Sequence, residues 1–265
     1  MLNNNNYFSH ENELKYFGST QFKRFLKCEA EAMAILHGKY DPGTTTALLV
    51  GSYVDAYFDG TLPAFIDSHP EIINGRTGSL KSDYAQADNI IERCEQDELF
   101  MKFMGGQKQV IKTAEVFGVP WKIKIDSYHP GKMIVDLKVM KDFEPVYVPG
   151  QGKVGFVEAY GYDIQGAIYQ AVEQQARIDA GEKDADKLPF FIAAATKQKD
   201  ATDLGIFQLP QQKLDDALRI VEHYIEEFAG VKAGYIYPRR CETCAWCRQT
   251  KKLLKVKQWE DINGD

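Results

Sequence analysis

At 265 residues, with 44% hydrophobic and 26% charged residues, the chain is long enough for one substantial core and ordinary in composition for a globular protein. A net charge of −6 argues against a body coated in basic residues for general nucleic-acid binding. No apolar run approaches the ~20 residues that cross a bilayer, and the opening MLNNNNYFSH has neither the basic end nor the apolar core of a signal peptide, so a cytoplasmic protein without membrane contact is expected.

The first dozen residues are polar and read as frayed. Ser19 or Thr20 then caps a helix over 19–38, with Phe22, Phe25, Leu26, Met33 and Leu36 at helical spacing and Cys28 inside it. A second helix is predicted from Thr44 to Phe58; it sets Gly51 and Asp55 one turn apart on one face. Residues 61–78 read as a loop, and a third helix runs from Ser82 to Met104, its Cys94 a small core residue. A strand over Val110 to Phe117 precedes WKIKIDSYHPGKMIVDLKVMK, whose period-two alternation gives two strands around a turn at His129-Pro130-Gly131. Residues 142–161, rich in glycine and aromatics, read as a long irregular loop, either substrate-facing or a plain connection. A helix from Tyr162 to Ala180, strands over 191–196 and 204–209, and an amphipathic helix through Leu214, Leu218, Val221, Ile225 and Phe228 complete the order. This order makes an α/β (α+β) fold, a central mixed sheet flanked by helices, and not a doubly wound dinucleotide fold.

The hairpin over 121–141 carries the unusual charge. Residues two apart on a strand share a face, so Asp136 and Lys138 project together, and Asp126 can meet them across the turn. Carboxylates on buried strands are costly unless paired or bound to a metal. Asp126 and Asp136 offer hard oxygen ligands for Mg²⁺ or Mn²⁺, the Leu137 carbonyl offers another, and Lys138 is placed to hold an attacking water. A chance surface pair would give the same Asp-x-Lys spacing.

The runs AEVFGVPWKIKID, IVDLK and GYDIQGAIYQ together resemble the PD-(D/E)xK nuclease superfamily, most closely phage and prophage exonucleases similar to the RecE (exodeoxyribonuclease VIII) C-terminal domain. Glu115, Asp126, Asp136, Lys138, Gln165 and Tyr169 fill that family's ordered positions. The resemblance implies a restriction-endonuclease-like core forming one nuclease domain over 1–265, with Glu115 and Asp55 supporting the metal shell and Gln165 and Tyr169 positioning the strand or the lysine. Asp55 stands in GSYVD where relatives carry a metal-touching histidine, so it is either a replacement ligand or a helix-surface acid. The implied activity is hydrolysis of linear DNA, 5′ to 3′ from duplex ends, in phage-type recombination inside a bacterial host, with a single-strand annealing partner and a homo-oligomeric ring. Two alternatives are a nuclease of single-stranded ends resembling the CRISPR adaptation type, and a DNA-binding protein whose nuclease site has decayed.

The cysteines form no disulfide framework. Cys241, Cys244 and Cys247 have the spacing of ferredoxin-type clusters, which take a fourth thiolate from elsewhere. RecB-like nucleases such as AddB look similar, with one N-terminal and three C-terminal cysteines around a 4Fe-4S cluster, although they space the last two more widely. Cys28 fills the fourth place by this resemblance, with Zn²⁺ as the alternative metal. That site would join the helix over 19–38 to the basic segment 239–257, where Arg239, Arg240, Arg248, Lys251, Lys252, Lys255 and Lys257 face a single acid, Glu242. Such a segment either contacts DNA or is a solvated basic surface. Trp246 either stacks on a base or shields the metal.

Overall fold

The computed structural model describes residues 2–258 except 83, 199, 254, 255 and 257; Lys255 and Lys257 of the basic segment lie outside the described residues. The N-terminal residues are not frayed. Ser9 caps α1 (His10–Lys15) by accepting from the Asn12 N–H, and Tyr7 is buried. The expected helix over 19–38 is two helices, α2 (Ser19–Lys27) and α3 (Glu29–Leu36), because Cys28 is extended at φ −166°. The break is held from outside the helices, since the Ala30 N–H donates to the carbonyl of Arg239.

Thr45 caps α4 (Thr46–Phe58) through the Leu48 N–H. The predicted loop over 61–78 contains α5 (Leu62–Ser68), with Pro63 in its first turn where a missing N–H is harmless, and a 3₁₀ turn, Pro70–Ile72. The helix expected from Ser82 is likewise divided into α6 (Gln86–Glu95) and α7 (Glu98–Met104), because Asp97 accepts from the Phe100 N–H and restarts the helix.

Strands β1 (Gln107–Val116), β2 (Val119–His129) and β3 (Met133–Met140) follow. The glycine and aromatic-rich stretch is more ordered than its composition implies: it forms a small hairpin, β4 (Val146–Val148) with β5 (Gly152–Val154), and one turn of helix, α8 (Phe156–Ala159). Then come α9 (Tyr162–Asp179), β6 (Phe190–Thr196), β7 (Leu204–Gln208), α10 (Gln211–Lys232) and α11 (Ala245–Gln249).

The central sheet has the order β1-β2-β3-β6-β7, antiparallel except for the parallel pair β3 and β6. Side-chain alternation feeds two cores, one on each face. Ile134, Ile192 and Ala194 join Phe22, Phe25, Val172, Val221 and Phe228 on the side of α2, α9 and α10. Val135, Leu137, Ala193 and Ala195 join Val50, Val54, Ile90 and Phe100 on the side of α4, α6 and α7. Among the described residues no helix is long and apolar enough to cross a membrane.

One irregularity creates the cleft. The ladder between β2 and β3 has only three pairs, Ser127 with Val135, Tyr128 with Ile134 and His129 with Met133. Beyond Ser127 the strands part, and β2 finds other partners: Phe17 exchanges backbone bonds with Pro120 and Lys122, and the Tyr169 hydroxyl donates to the Lys124 carbonyl at 3.0 Å. These contacts answer the requirement that buried peptide groups be paired.

Candidate active site

Asp126 and Asp136 face each other where the strands part. The Asp126 carboxylate takes the place of a ladder carbonyl, its Oδ2 accepting from the Leu137 N–H at 2.8 Å. Asp136 is almost wholly buried, with Oδ1 accepting from Gln165 Nε2 at 2.6 Å. Lys138 pairs with Asp136 Oδ2, donates to the Leu137 carbonyl at 3.2 Å and lies over the Tyr162 ring at 5.3 Å. Gln165 and Tyr169, one turn apart on α9, thus reach opposite sides of the gap, one to β3 and the other to β2.

Asp55, in the last turn of α4, and Asp59, just past its end, line the same cavity of about 450 Å³. Its walls also include Gln109 and Lys124. Burial, followed by the charge of Asp136, raises the Asp126 carboxyl to about 7. Burial and then Asp126 hold Asp55 well above the usual carboxylate range, and burial raises Asp59. Lys138 shows the opposite balance: burial opposes its charge, but Asp136 and Asp126 more than offset this and keep it firmly cationic.

Asp55, Asp59, Asp126 and Asp136 share the cavity with Lys122, Lys124 and Lys138, and Asp136 Oδ2 is buried with no well-aligned hydrogen-bond donor. Hard oxygens in that arrangement fit a Mg²⁺ or Mn²⁺ ion. Asp55, which stands in the place of a histidine, faces the cavity and is not a free surface acid.

Glu115 is not brought to the site. Antiparallel register sets it opposite Pro120, and the pairs Lys108 with Ser127 and Val110 with Ile125 leave Gln109 opposite Asp126. Six strand residues, roughly 20 Å, separate Glu115 from that position. The missed acid is Asp59, four residues after Asp55; the i, i+4 spacing was visible, but its place at the helix end hid it. Gln109, at φ +52°, donates to Asp126 from β1 at 3.4 Å and had no sequence signal.

The second cluster is the cysteine group. The Sγ atoms of Cys28, Cys241, Cys244 and Cys247 all lie within 4.8 Å of one another. Cys94 is buried in the core cluster of α4 and α6, as expected. Of the basic residues, Arg239 is paired with Glu29 at 2.7 Å and Arg240 with Glu242 at 2.7 Å, so both serve the fold of this segment, whereas Arg248, Lys251 and Lys252 are exposed. Trp246 packs with Tyr40, ring centroids 5.7 Å apart, and against the cysteines.

Residues 18–250 match the family described as a PDDEXK-like domain of unknown function (DUF3799). A crystal structure of a candidate exonuclease from Eubacterium rectale is 43% identical, superposes with a TM-score of 0.90, and is matched over 99% of this chain and 98% of that one. No curated protein matches the chain.

Proposed function

Because the chain belongs to the PDDEXK-like domain family, we propose that it is a metal-dependent nuclease that removes nucleotides from the ends of linear DNA. The observation that carries this reading is the meeting of Asp126, Asp136 and Lys138 at the parting of β2 and β3, with Asp55 and Asp59 facing them from α4. In this proposal Asp126, Asp136, the Leu137 carbonyl and Asp55 hold the Mg²⁺ or Mn²⁺ ion. When bound, the ion neutralises phosphate charge and makes an attacking water more acidic. Lys138, kept cationic by its two aspartates, orients that water and opposes charge building on the phosphate. Gln165 keeps Asp136 turned into the cleft, and Tyr169 holds β2 at a fixed distance from it. An intact carboxylate set argues against a decayed site.

The finer reading, a RecE-like exonuclease, is supported by the order of the motifs and by the exonuclease description of the Eubacterium rectale relative; 5′ to 3′ digestion of duplex ends in phage-type recombination, a single-strand annealing partner and an oligomeric ring follow only from that resemblance. Exposed Arg248, Lys251 and Lys252 give the DNA a basic surface outside the cleft. The four cysteines form a second centre of structural role within a single nuclease domain.

The test is digestion of linear duplex and single-stranded DNA, labelled at either end, with Mg²⁺ or Mn²⁺. Wild-type protein is expected to release the 5′ label of duplex first, and Lys138→Ala to lose ~10²-fold or more in rate while still binding DNA. Equal inertness of both proteins would sink the catalytic reading; faster digestion of single strands would redirect it to the single-strand-end class.

A further inference from the structure

The resemblance that places four cysteines around a 4Fe-4S cluster can be tested against the distances between their sulfurs. Cys28 Sγ is 3.6 Å from Cys247 Sγ and 3.8 Å from Cys244 Sγ, and no pair in the group exceeds 4.8 Å. Four thiolates at the ~2.3 Å of a Zn–S bond form a tetrahedron with edges of ~3.8 Å. In a cubane cluster each thiolate binds a different iron, and the inorganic core between them holds the sulfurs on the order of 6 Å apart. The observed spacing fits one ion and leaves no room for a cubane.

Hydrogen bonding supports metal ligation by this group, and the sulfur spacing alone selects the metal. The Cys244 N–H donates to Cys241 Sγ at 3.2 Å, the Cys247 N–H to Cys244 Sγ at 3.4 Å, and the Thr243 hydroxyl to Cys241 Sγ at 3.4 Å. Donors aimed at sulfur favour thiolates, the form that ligates. Arg240 lies beside the group, donating to the Cys247 carbonyl, and its charge favours the thiolate form of the cysteines whichever metal they hold. Cys28 and Cys247 are both buried, and Cys28 is fixed at the break between α2 and α3.

We propose that Cys28, Cys241, Cys244 and Cys247 hold a single zinc ion in place of an iron–sulfur cluster, and that this ion fixes the α2–α3 break. Gly18, which precedes α2, and the first residues of that helix, Ser19 to Gln21, line the active-site cavity, and Cys28 lies just past the opposite end of this nine-residue helix, roughly 14 Å away. The zinc therefore sets a wall of the cleft without touching it. This inference does not depend on the nuclease reading, because its readout is metal content.

The full-length protein, purified under argon from cells supplied with both iron and zinc, is expected to carry one zinc per chain, no acid-labile sulfide and no visible charge-transfer absorption. Replacement by cobalt should give the ligand-field bands of a tetrahedral tetrathiolate. Cys28→Ser should abolish zinc retention and lower the melting temperature, while Cys94→Ser, in a separate core, retains the zinc. Four irons with matching sulfide would overturn the proposal, and so would a stably folded protein with four freely titratable thiols and no metal.

Discussion

The Asp126 carboxyl, raised to about 7 mainly by burial, gives the site a pH dependence whose sign can be worked out. The folded chain keeps this proton at pH values where the unfolded carboxyl, near ~3.9, has released it. In metal-free protein its contribution to stability is therefore greatest below about 4, falls as pH rises towards 7 and is flat above. Asp126→Asn should reduce that slope, leaving the part due to the raised Asp55 and Asp59 carboxyls, and urea unfolding of both proteins in EDTA from acid to neutral pH would reveal the difference. A metal ion competes with the same proton, so Mn²⁺ affinity should tighten as pH approaches 7 and then level off; an affinity flat across this range would remove Asp126 from the ligand set. At this scale the sequence was informative where residues lie close along the chain. Asp136 and Lys138 share a strand, and Gln165 and Tyr169 share a helix face. Glu115 was misplaced because motif order does not specify antiparallel register, and Asp59 was overlooked because its partner, Asp126, lies on a different element.

At the scale of elements, α9 does what a longer β2–β3 ladder would otherwise do. Gln165 grips Asp136 on β3, Tyr169 grips the Lys124 carbonyl on β2, and between them Gly166 lets the helix lie against Phe190 and Leu214, where an added Cβ would come within 2.9 Å of each. The two clamps should fail differently. Gln165→Leu leaves Asp136 Oδ1 without its donor and should lower turnover ~10-fold or more with little change in KM, since the carboxylate is freed while the binding surface stays. Tyr169→Phe leaves a peptide carbonyl short of a donor and should cost about 1 kcal/mol of stability, read from chemical unfolding. Equal behaviour of the two variants would contradict this division. Element type was mostly visible in the periodicity, and element ends were not. The helix breaks at Cys28 and Asp97 and the small β4–β5 hairpin depend on tertiary hydrogen bonds and single caps, which hydrophobic spacing does not record.

Across the whole molecule, segments far apart in sequence hold the cleft walls together. Lys122, buried on β2, pairs with Glu13 at 2.6 Å, donates to the Tyr7 carbonyl and lies against the Tyr7 ring at 4.5 Å; Lys232 of α10 donates to the Tyr16 carbonyl at 2.7 Å and to Gln21 at 2.8 Å. Lys122→Met should therefore loosen the N-terminal wall of the cleft, costing ~3 kcal/mol and exposing residues 7–15 to limited proteolysis. Unchanged protease resistance would show that the wall is held by apolar packing alone. These long-range ties were invisible in a sequence whose first residues look merely polar. The short β2–β3 ladder has one more effect at this scale. The sheet behaves as two jaws, β1 with β2 and β3 with β6 and β7, hinged at the turn end near His129 and Met133. Their gape at Asp126 and Asp136 is fixed by side chains and can change without breaking a ladder bond. A choice between a small ion such as Mg²⁺ and a larger one such as Ca²⁺ would then rest on the Asp126 bond to the Leu137 N–H and on the reach of two residues of α9, and could change by substitution while the sheet stays intact.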